Sequence, residues 1–367
     1  MRVLLAGGGT AGHINPAVAI AKTIQAKEKD AEILFVGTKK GMEHTLIPKE
    51  GFSIEYIKVE GMKGHKTIKN LVPAMEFVFA IGASKRIIRR FSPDVVIGTG
   101  GYVCAPVVFA ASRMKLPTLI HEQNVFPGSA IKMLARRADV TAISFAASTR
   151  YLKEAKEILL TGNPIRPGLF NADRAAARKE LAVGDKTMIL SFGGSLGAER
   201  INDVVMEYLA LVKNDASKYI YFATGTYWYD RVMATLKERG LDALPNVKIV
   251  PYIHNMDTVL AAADLVIGRS GAITISELCA LGKPSILIPS LNVTHNHQEY
   301  NARALVEKGA AAMILDPEFD APRLKLEIDR MTSGDTLAKT GQNAYEMRKV
   351  RACEMIYEKI KKMTAKR

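Results

Sequence analysis

A chain of 367 residues with 48% hydrophobic and 24% charged content has room for two folded domains and excludes a disordered or low-complexity polypeptide. Its formal net charge of +14 points to an anionic partner, be it nucleic acid, an acidic membrane surface or a phosphorylated substrate, without choosing among them. Three scattered cysteines, Cys104, Cys279 and Cys353, indicate neither a disulfide framework nor a zinc site and fit a reducing cytosol.

Met1 to Ala6 runs straight into a glycine cluster, with no apolar stretch of the length a secretory signal needs, so no export is expected. Arg2 to Ala6 reads as a buried strand. Gly7-Gly8-Gly9-Thr10-Ala11-Gly12-His13 follows, then a helix that Pro16 helps to start. The match to a G-x-G-x-x-G dinucleotide fingerprint is formal only. The second strand, Ile33 to Val36, ends in Gly37-Thr38-Lys39-Lys40 and lacks the acid that would hold a ribose, so NAD is discounted. A loop this rich in glycine still lets backbone approach a ligand closely, with His13 projecting near the helix start.

Ile68 to Arg90 mixes Leu71, Val72, Met75, Phe77, Val78, Phe79 and Ile81 with a basic tail of Lys85, Arg86, Arg89 and Arg90. Its apolar part, Leu71 to Ala83, contains Pro73 and Glu76 and falls short of the roughly 20 residues that span a bilayer. Two readings stand: a surface resting on anionic lipid, or a core-facing helix with a solvated basic end. The strand Asp94 to Ile97 then delivers a second glycine turn, Gly98-Thr99-Gly100-Gly101-Tyr102. After the strand Pro117 to Ile120 comes the polar cluster His121-Glu122-Gln123-Asn124, where strand ends of open α/β sheets form binding crevices.

The turn formers of Gly162 to Gly168 mark an interdomain linker. Thr187 to Phe192 and Gly193-Gly194-Ser195-Leu196-Gly197-Ala198 then repeat the opening theme of strand, glycine turn and helix. The chain therefore reads as two doubly wound α/β domains in tandem with a cleft between them. Tyr219 to Thr224 and Val247 to Val250 continue the strands, and a loop from Pro251 to Met256 follows. Gly268 to Gln298 gives another strand, tight turn and helix start. Its backbone N–H groups suit a diphosphate, and Glu277 deeper in the helix suits neutral hydroxyls such as a ribose diol. An ordinary βα unit with Ser270 as helix cap and Glu277 solvated is the plainer reading. Thr340 to Lys362 is helical in pattern, strongly charged, and long enough to cross back to the first domain. The chain has no H-E-x-x-H, paired-cysteine spacing, Asp-x-Asp or Walker loop, and its scattered cations have little aromatic interleaving. No metal, cofactor or nucleic-acid partner is expected.

Taken in order, the motifs at 7–13, 98–102, 121–124, 162–166, 193–198 and 269–277, with Gln298 beyond, resemble the MurG family within glycosyltransferase family 28. Those enzymes are bacterial undecaprenyl-diphospho-muramoylpentapeptide β-N-acetylglucosaminyltransferases. The resemblance implies a GT-B fold, two Rossmann-like domains facing across a cleft. Residues 1–162 would take the acceptor and residues 163–344 the donor, with a helix over about 345–367 packing back on the first domain. It implies inverting transfer of N-acetylglucosamine from UDP-N-acetylglucosamine to the 4-hydroxyl of muramic acid in lipid I, giving lipid II. The place would be the cytoplasmic face of the cell membrane, on an anionic inner-membrane surface, with other cell-wall and division proteins as further partners.

By motif position, Thr10, Ala11, Gly12 and Asn124 would border the sugar and diphosphate, and Arg166 and Ser195 the diphosphate side of the nucleotide. Ile253 would meet uracil. Ala272, Ile273, Thr274, Ile275, Ser276 and Glu277 would hold diphosphate and ribose, and Gln298 the sugar. Departing UDP needs helix-end N–H groups and a cation such as Arg166 or Arg269. His13, able to stay neutral at cytosolic pH, is the expected general base and Glu122 its rival. Asn124 could equally cap the turn that follows it. A membrane substrate favours lipid contact for Leu71, Val72, Met75, Phe79, Lys85, Arg86 and Arg89. Glu299 departs from the family by placing an acid after Gln298, where some relatives carry a second amide. The alternatives are a diacylglycerol-type lipid glycosyltransferase, against which the motifs at Gly98 and His121 argue, and a nonenzymatic UDP-sugar-binding membrane scaffold.

Overall fold

A computed structural model describes residues 1–60, 71–165, 167–194 and 196–365. The chain forms two units, Met1–Ile165 with Lys349–Arg367, and Arg166–Arg348. The first contains β1 (Arg2–Gly7), β2 (Glu32–Gly37), β3 (Ser53–Tyr56), β4 (Val95–Gly100), β5 (Thr118–Glu122), β6 (Val140–Ile143) and β7 (Ile158–Leu160). Around them lie α1 (Ala11–Lys27), α2 (Glu43–Lys49), α3 (Leu71–Phe91), α4 (Cys104–Arg113) and α5 (Ser129–Ala135). The sheet order is β3-β2-β1-β4-β5-β6-β7, and every pairing among the described residues is parallel.

Such a sheet is covered on both faces, and β1 explains how. Val3 and Leu5 face a core shared with Ile14, Ile20 and Ile24 of α1, whereas Leu4 and Ala6 face one shared with Val107 and Val108 of α4. Pro16 does not start α1. It lies inside the helix, which begins at Ala11 because the turn after β1 needs only Gly8, Gly9 and Thr10.

The second unit repeats the plan with β8 (Thr187–Phe192), β9 (Lys218–Ala223), β10 (Val247–Val250), β11 (Leu265–Gly268), β12 (Ser285–Leu287) and β13 (Ala312–Met313). Its sheet order is β10-β9-β8-β11-β12-β13. Its helices are α6 (Arg174–Glu180), α7 (Glu199–Val212), α8 (Tyr229–Glu238), α9 (Met256–Ala262), α10 (Ala272–Ala280), α11 (His297–Val306), α12 (Ala321–Met331) and α13 (Thr336–Glu346). The charged tail is not one helix. It breaks after α13 and resumes as α14 (Ala352–Thr364), whose Ile356 and Ile360 are buried in the first unit's core beside Val3 and Leu5. Tyr357 and Lys361 of α14 both bond Glu28, at 2.6 and 2.8 Å.

Candidate active site

In both units the strand order reverses at one point, between β1 and β4 and between β8 and β11. Crevices of open α/β sheets form at the carboxyl ends of strands there. In the first unit the turns after β1 and β4 meet backbone to backbone. Gly101, at φ +77°, lies so near Gly8 that a Cβ on it would sit 2.2 Å from the Gly8 carbonyl oxygen. The His13 ring packs against Gly100, and the Thr99 hydroxyl donates to the His13 carbonyl at 2.8 Å. Behind the first turn is the buried carboxylate of Glu43. It accepts from Gly9 N (2.9 Å), Thr38 N (2.9 Å) and the Thr38 hydroxyl (2.8 Å). A turn already tied to a carboxylate is a poor pyrophosphate loop, which gives a second reason against NAD.

The polar cluster at the end of β5 divides into two arrangements. Gln123 bonds inward: its side-chain nitrogen lies 2.9 Å from the Thr99 carbonyl and 3.0 Å from His121 Nδ1, and its oxygen lies 3.2 Å from His13 Nδ1. Glu122 turns to its own loop. Oε1 accepts from Asn124 N (2.8 Å) and Nδ2 (3.1 Å), and Oε2 from Gly128 N (2.8 Å). Burial pushes the Glu122 carboxyl upward, and those hydrogen bonds pull against the shift. Asn124 is part of that turn, its carbonyl accepting from Ser148. Thr10 and Gly12 are exposed and Ala11 is half-buried at the start of α1.

In the second unit a cleft of about 530 Å³ opens between the turn after β8, the start of α10 and the loop after β12. Gly193, Gly194, Gly271, Thr274, Asn292 and Gln298 are among its lining residues. The turn after β8 is held by a close approach: a Cβ on Gly197, at φ +82°, would lie 2.0 Å from the Thr224 carbonyl oxygen. The first bond within α10 runs from Ile275 N to Gly271 O, so the N–H groups of Ala272, Ile273 and Thr274 precede it at the helix end. The cap position belongs to Gly271, not Ser270, whose hydroxyl donates instead to the Gln298 carbonyl at 2.8 Å.

Several expected residues are already engaged. Ile275 is fully buried, and Ser276 bonds the Ala272 carbonyl. Ile253 and Glu277 are buried rather than solvated. Arg269 lines the cleft, but its guanidinium pairs with Asp316 at 2.5 Å and donates to the Ile288 and Pro289 carbonyls, so much of its charge is matched. The Gln298 side chain accepts from Ser290 N at 2.9 Å. Glu299 is drawn to Arg303 and Asn296, and its carboxyl is lowered chiefly by Arg303. Arg166 and Ser195 lie outside the described residues, as do the side chains of Leu71 and Val72.

Helix α3 has one buried and one exposed face. Ala80, Ser84, Ile87 and Ile88 are buried, while Met75, Val78 and Phe79 are 54, 65 and 71% exposed. Arg86 and Arg89 are exposed on the same side, Lys85 is half-buried, and Arg90 pairs with Glu55. Among the described residues no helix is long and apolar enough to cross a membrane. Sequence reasoning gave no role to Glu43, Gln123, Thr99 or Asp316. Gln123 stood inside a quoted motif, whereas nothing near Glu43 in the chain signals that it braces a turn over thirty residues away.

The Glycosyltransferase family 28 N-terminal domain matches residues 3–143, and the Glycosyltransferase family 28 C-terminal domain matches residues 188–356. The chain belongs to glycosyltransferase family 28. Within the family it is 48% identical over 363 residues, 98% of each chain, to the UDP-N-acetylglucosamine–N-acetylmuramyl-(pentapeptide) pyrophosphoryl-undecaprenol N-acetylglucosamine transferase of Acetivibrio thermocellus. It is 42% identical over 368 residues to a Bacillus cereus protein of the same name, covering 100% of both chains. Among solved structures, Acinetobacter baumannii MurG superposes with a TM-score of 0.80 at 25% identity, over 98% of this chain and 99% of that one. The S. aureus MnaA–UDP co-structure, at 15% identity and a TM-score of 0.71 over 98 and 96% of the chains, shares the fold. Both sheets are Rossmann-like, and the fold is GT-B.

Proposed function

We propose that this chain transfers N-acetylglucosamine from UDP-N-acetylglucosamine to the 4-hydroxyl of muramic acid in undecaprenyl-diphospho-N-acetylmuramoyl-pentapeptide. The observation that carries the reading is the full-length identity of 42 to 48% to relatives bearing that name. The acceptor oxygen attacks the anomeric carbon, the bond from that carbon to the diphosphate oxygen breaks, and UDP leaves with the electron pair. A single displacement inverts the centre. Charge gathering on the diphosphate is met by the N–H groups opening α10, with Glu277 taking the ribose, Gln298 the sugar and Ile253 the uracil.

His13 receives the hydroxyl proton. It is favoured over Glu122 because both Glu122 oxygens already accept hydrogen bonds from the loop that follows it. The exposed apolar end of α3, continued by Arg86 and Arg89, rests on an anionic bilayer surface where a polyprenyl-linked substrate is found.

The test is transfer of labelled N-acetylglucosamine to a short-chain acceptor analogue, with chelator present, by the wild type and His13→Ala. Transfer by the wild type and a loss of at least about a hundredfold in the variant is expected. Donor binding without transfer by the wild type overturns the acceptor assignment.

A further inference from the structure

We propose that His121 and Gln123 act as positioning residues that hold His13 in the Nδ1–H tautomer, leaving Nε2 as its basic nitrogen. The inference rests on His13 being the base and adds which atom takes the proton and what keeps it ready. Thr99, His121 and Gln123 are all buried, so their polar atoms must pair, and pairing them leaves one solution. The Gly162 carbonyl can only accept. His121 Nε2 lies 3.0 Å from it and therefore carries the hydrogen. Burial lowers His121 to about 4, so the ring is neutral, its single proton is spent on Gly162, and Nδ1 keeps a lone pair.

The Gln123 side-chain atom facing that lone pair at 3.0 Å also faces the Thr99 carbonyl at 2.9 Å. Both neighbours accept, so this atom is the NH2 group. The opposite orientation would set two buried acceptor pairs against each other and leave each without a donor. The amide oxygen is thereby turned toward His13 Nδ1, 3.2 Å away, and an amide oxygen only accepts. His13 Nδ1 must donate. Asn163 donates to the Gln123 carbonyl at 3.1 Å and ties the Gly162 turn to the same group.

An amide in this place orients the ring without adding a negative charge. A carboxylate there would also orient the ring, but it would raise the affinity of His13 for a proton and move the onset of its basic form to higher pH. The other titratable groups on the segments packed around His13 are Glu122 and His121 at the end of β5, Tyr102 and Cys104 after β4, and Glu43 behind the first turn. Cys104 is pushed up to about 12 by burial and is neutral. Glu122 and Glu43 spend their oxygens on hydrogen bonds of their own.

Nitrogen-15 histidine labelling with two-bond proton correlation reads the tautomers in the wild type directly, and His13→Ala assigns the His13 signals. The expected spectrum has His13 protonated at Nδ1 and His121 at Nε2. In Gln123→Leu the His13 pattern should change, and transfer should fall by about tenfold or more, less than removal of the base costs. Gln123→Glu should move the acid limb of the kcat/KM profile upward by about one pH unit or more. His121→Asn keeps an acceptor near the Nδ1 position and should preserve the His13 pattern that His121→Leu disturbs. Urea unfolding followed by circular dichroism reports that each variant is folded. An Nε2–H tautomer for His13, or an acid limb unmoved in Gln123→Glu, overturns the positioning role while leaving the base intact. Full transfer by His13→Ala overturns the base itself.

Discussion

Replacing Gly101 by alanine tests whether contact between the two glycine turns of the first unit assembles the His13 site. The residue is left-handed, φ +77°, which costs an L-side chain about 1 to 2 kcal/mol. Its new Cβ would also lie 2.2 Å from the Gly8 carbonyl oxygen and 3.0 Å from the carbonyl carbon, and backbone cannot swing aside as a side chain can. Overpacking of this kind adds about 1 to 3 kcal/mol. The expected total is about 2 to 5 kcal/mol. Gly51 supplies the control, since it is left-handed at φ +85° but has nothing within 4 Å of an added Cβ. Gly51→Ala should cost the conformational part alone, so the difference between the variants isolates the contact. Urea unfolding by circular dichroism, compared at equal slope, measures it. If the turns part, Gly100 moves with Gly101 and the His13–Gln123 bond of 3.2 Å lengthens, so transfer should fall while UDP affinity holds. Equal stability of the two variants, or full turnover in Gly101→Ala, refutes the reasoning.

Lys283 is 9% exposed, donates to the Ala261 and Ala263 carbonyls at 2.9 and 2.8 Å, and is lowered from 10.5 to about 8, first by burial and then by Arg174. Between those values the unfolded chain holds a proton that the folded chain has released, so stability rises with pH through this window, by about 3 kcal/mol in all. Lys283→Met should flatten that rise, and parallel stability curves for the two proteins would contradict it. On α3, Phe79→Asp combined with Met75→Asp should weaken flotation with anionic vesicles and spare transfer to a detergent-soluble acceptor. Unchanged flotation would remove α3 from the membrane contact.

The recurrent unit of apolar strand, glycine turn and helix could be read from the chain because its causes are local. Two-residue alternation sorts Val3 and Leu5 from Leu4 and Ala6, and glycine supplies the left-handed angles that turns such as Gly100–Gly101 require. The fold class followed from the repetition of that unit, and the order of six motifs carried the family. The order β3-β2-β1-β4 could not be read so, because parallel pairing joins strands across whole crossover helices and no residue of β1 specifies β4 as its neighbour.

The same distance hid what side chains do once they meet. Arg269 looked like a cation for phosphate until Asp316, 47 positions on, was placed against it. Glu122 looked like a base until its own loop folded back over both oxygens. Pro16 and the broken tail were misjudged for a related reason: helix ends depend on where the preceding strand stops and on which core the next turn can reach. Sequence by itself determined the recurrent strand, glycine turn and helix units and which chemistry the chain carries, since backbone angles and burial patterns are local properties. Only tertiary structure decided which polar atoms are spent on one another and which remain for a substrate, because the hydrogen bond between His13 and Gln123 joins residues that the chain holds more than a hundred positions apart.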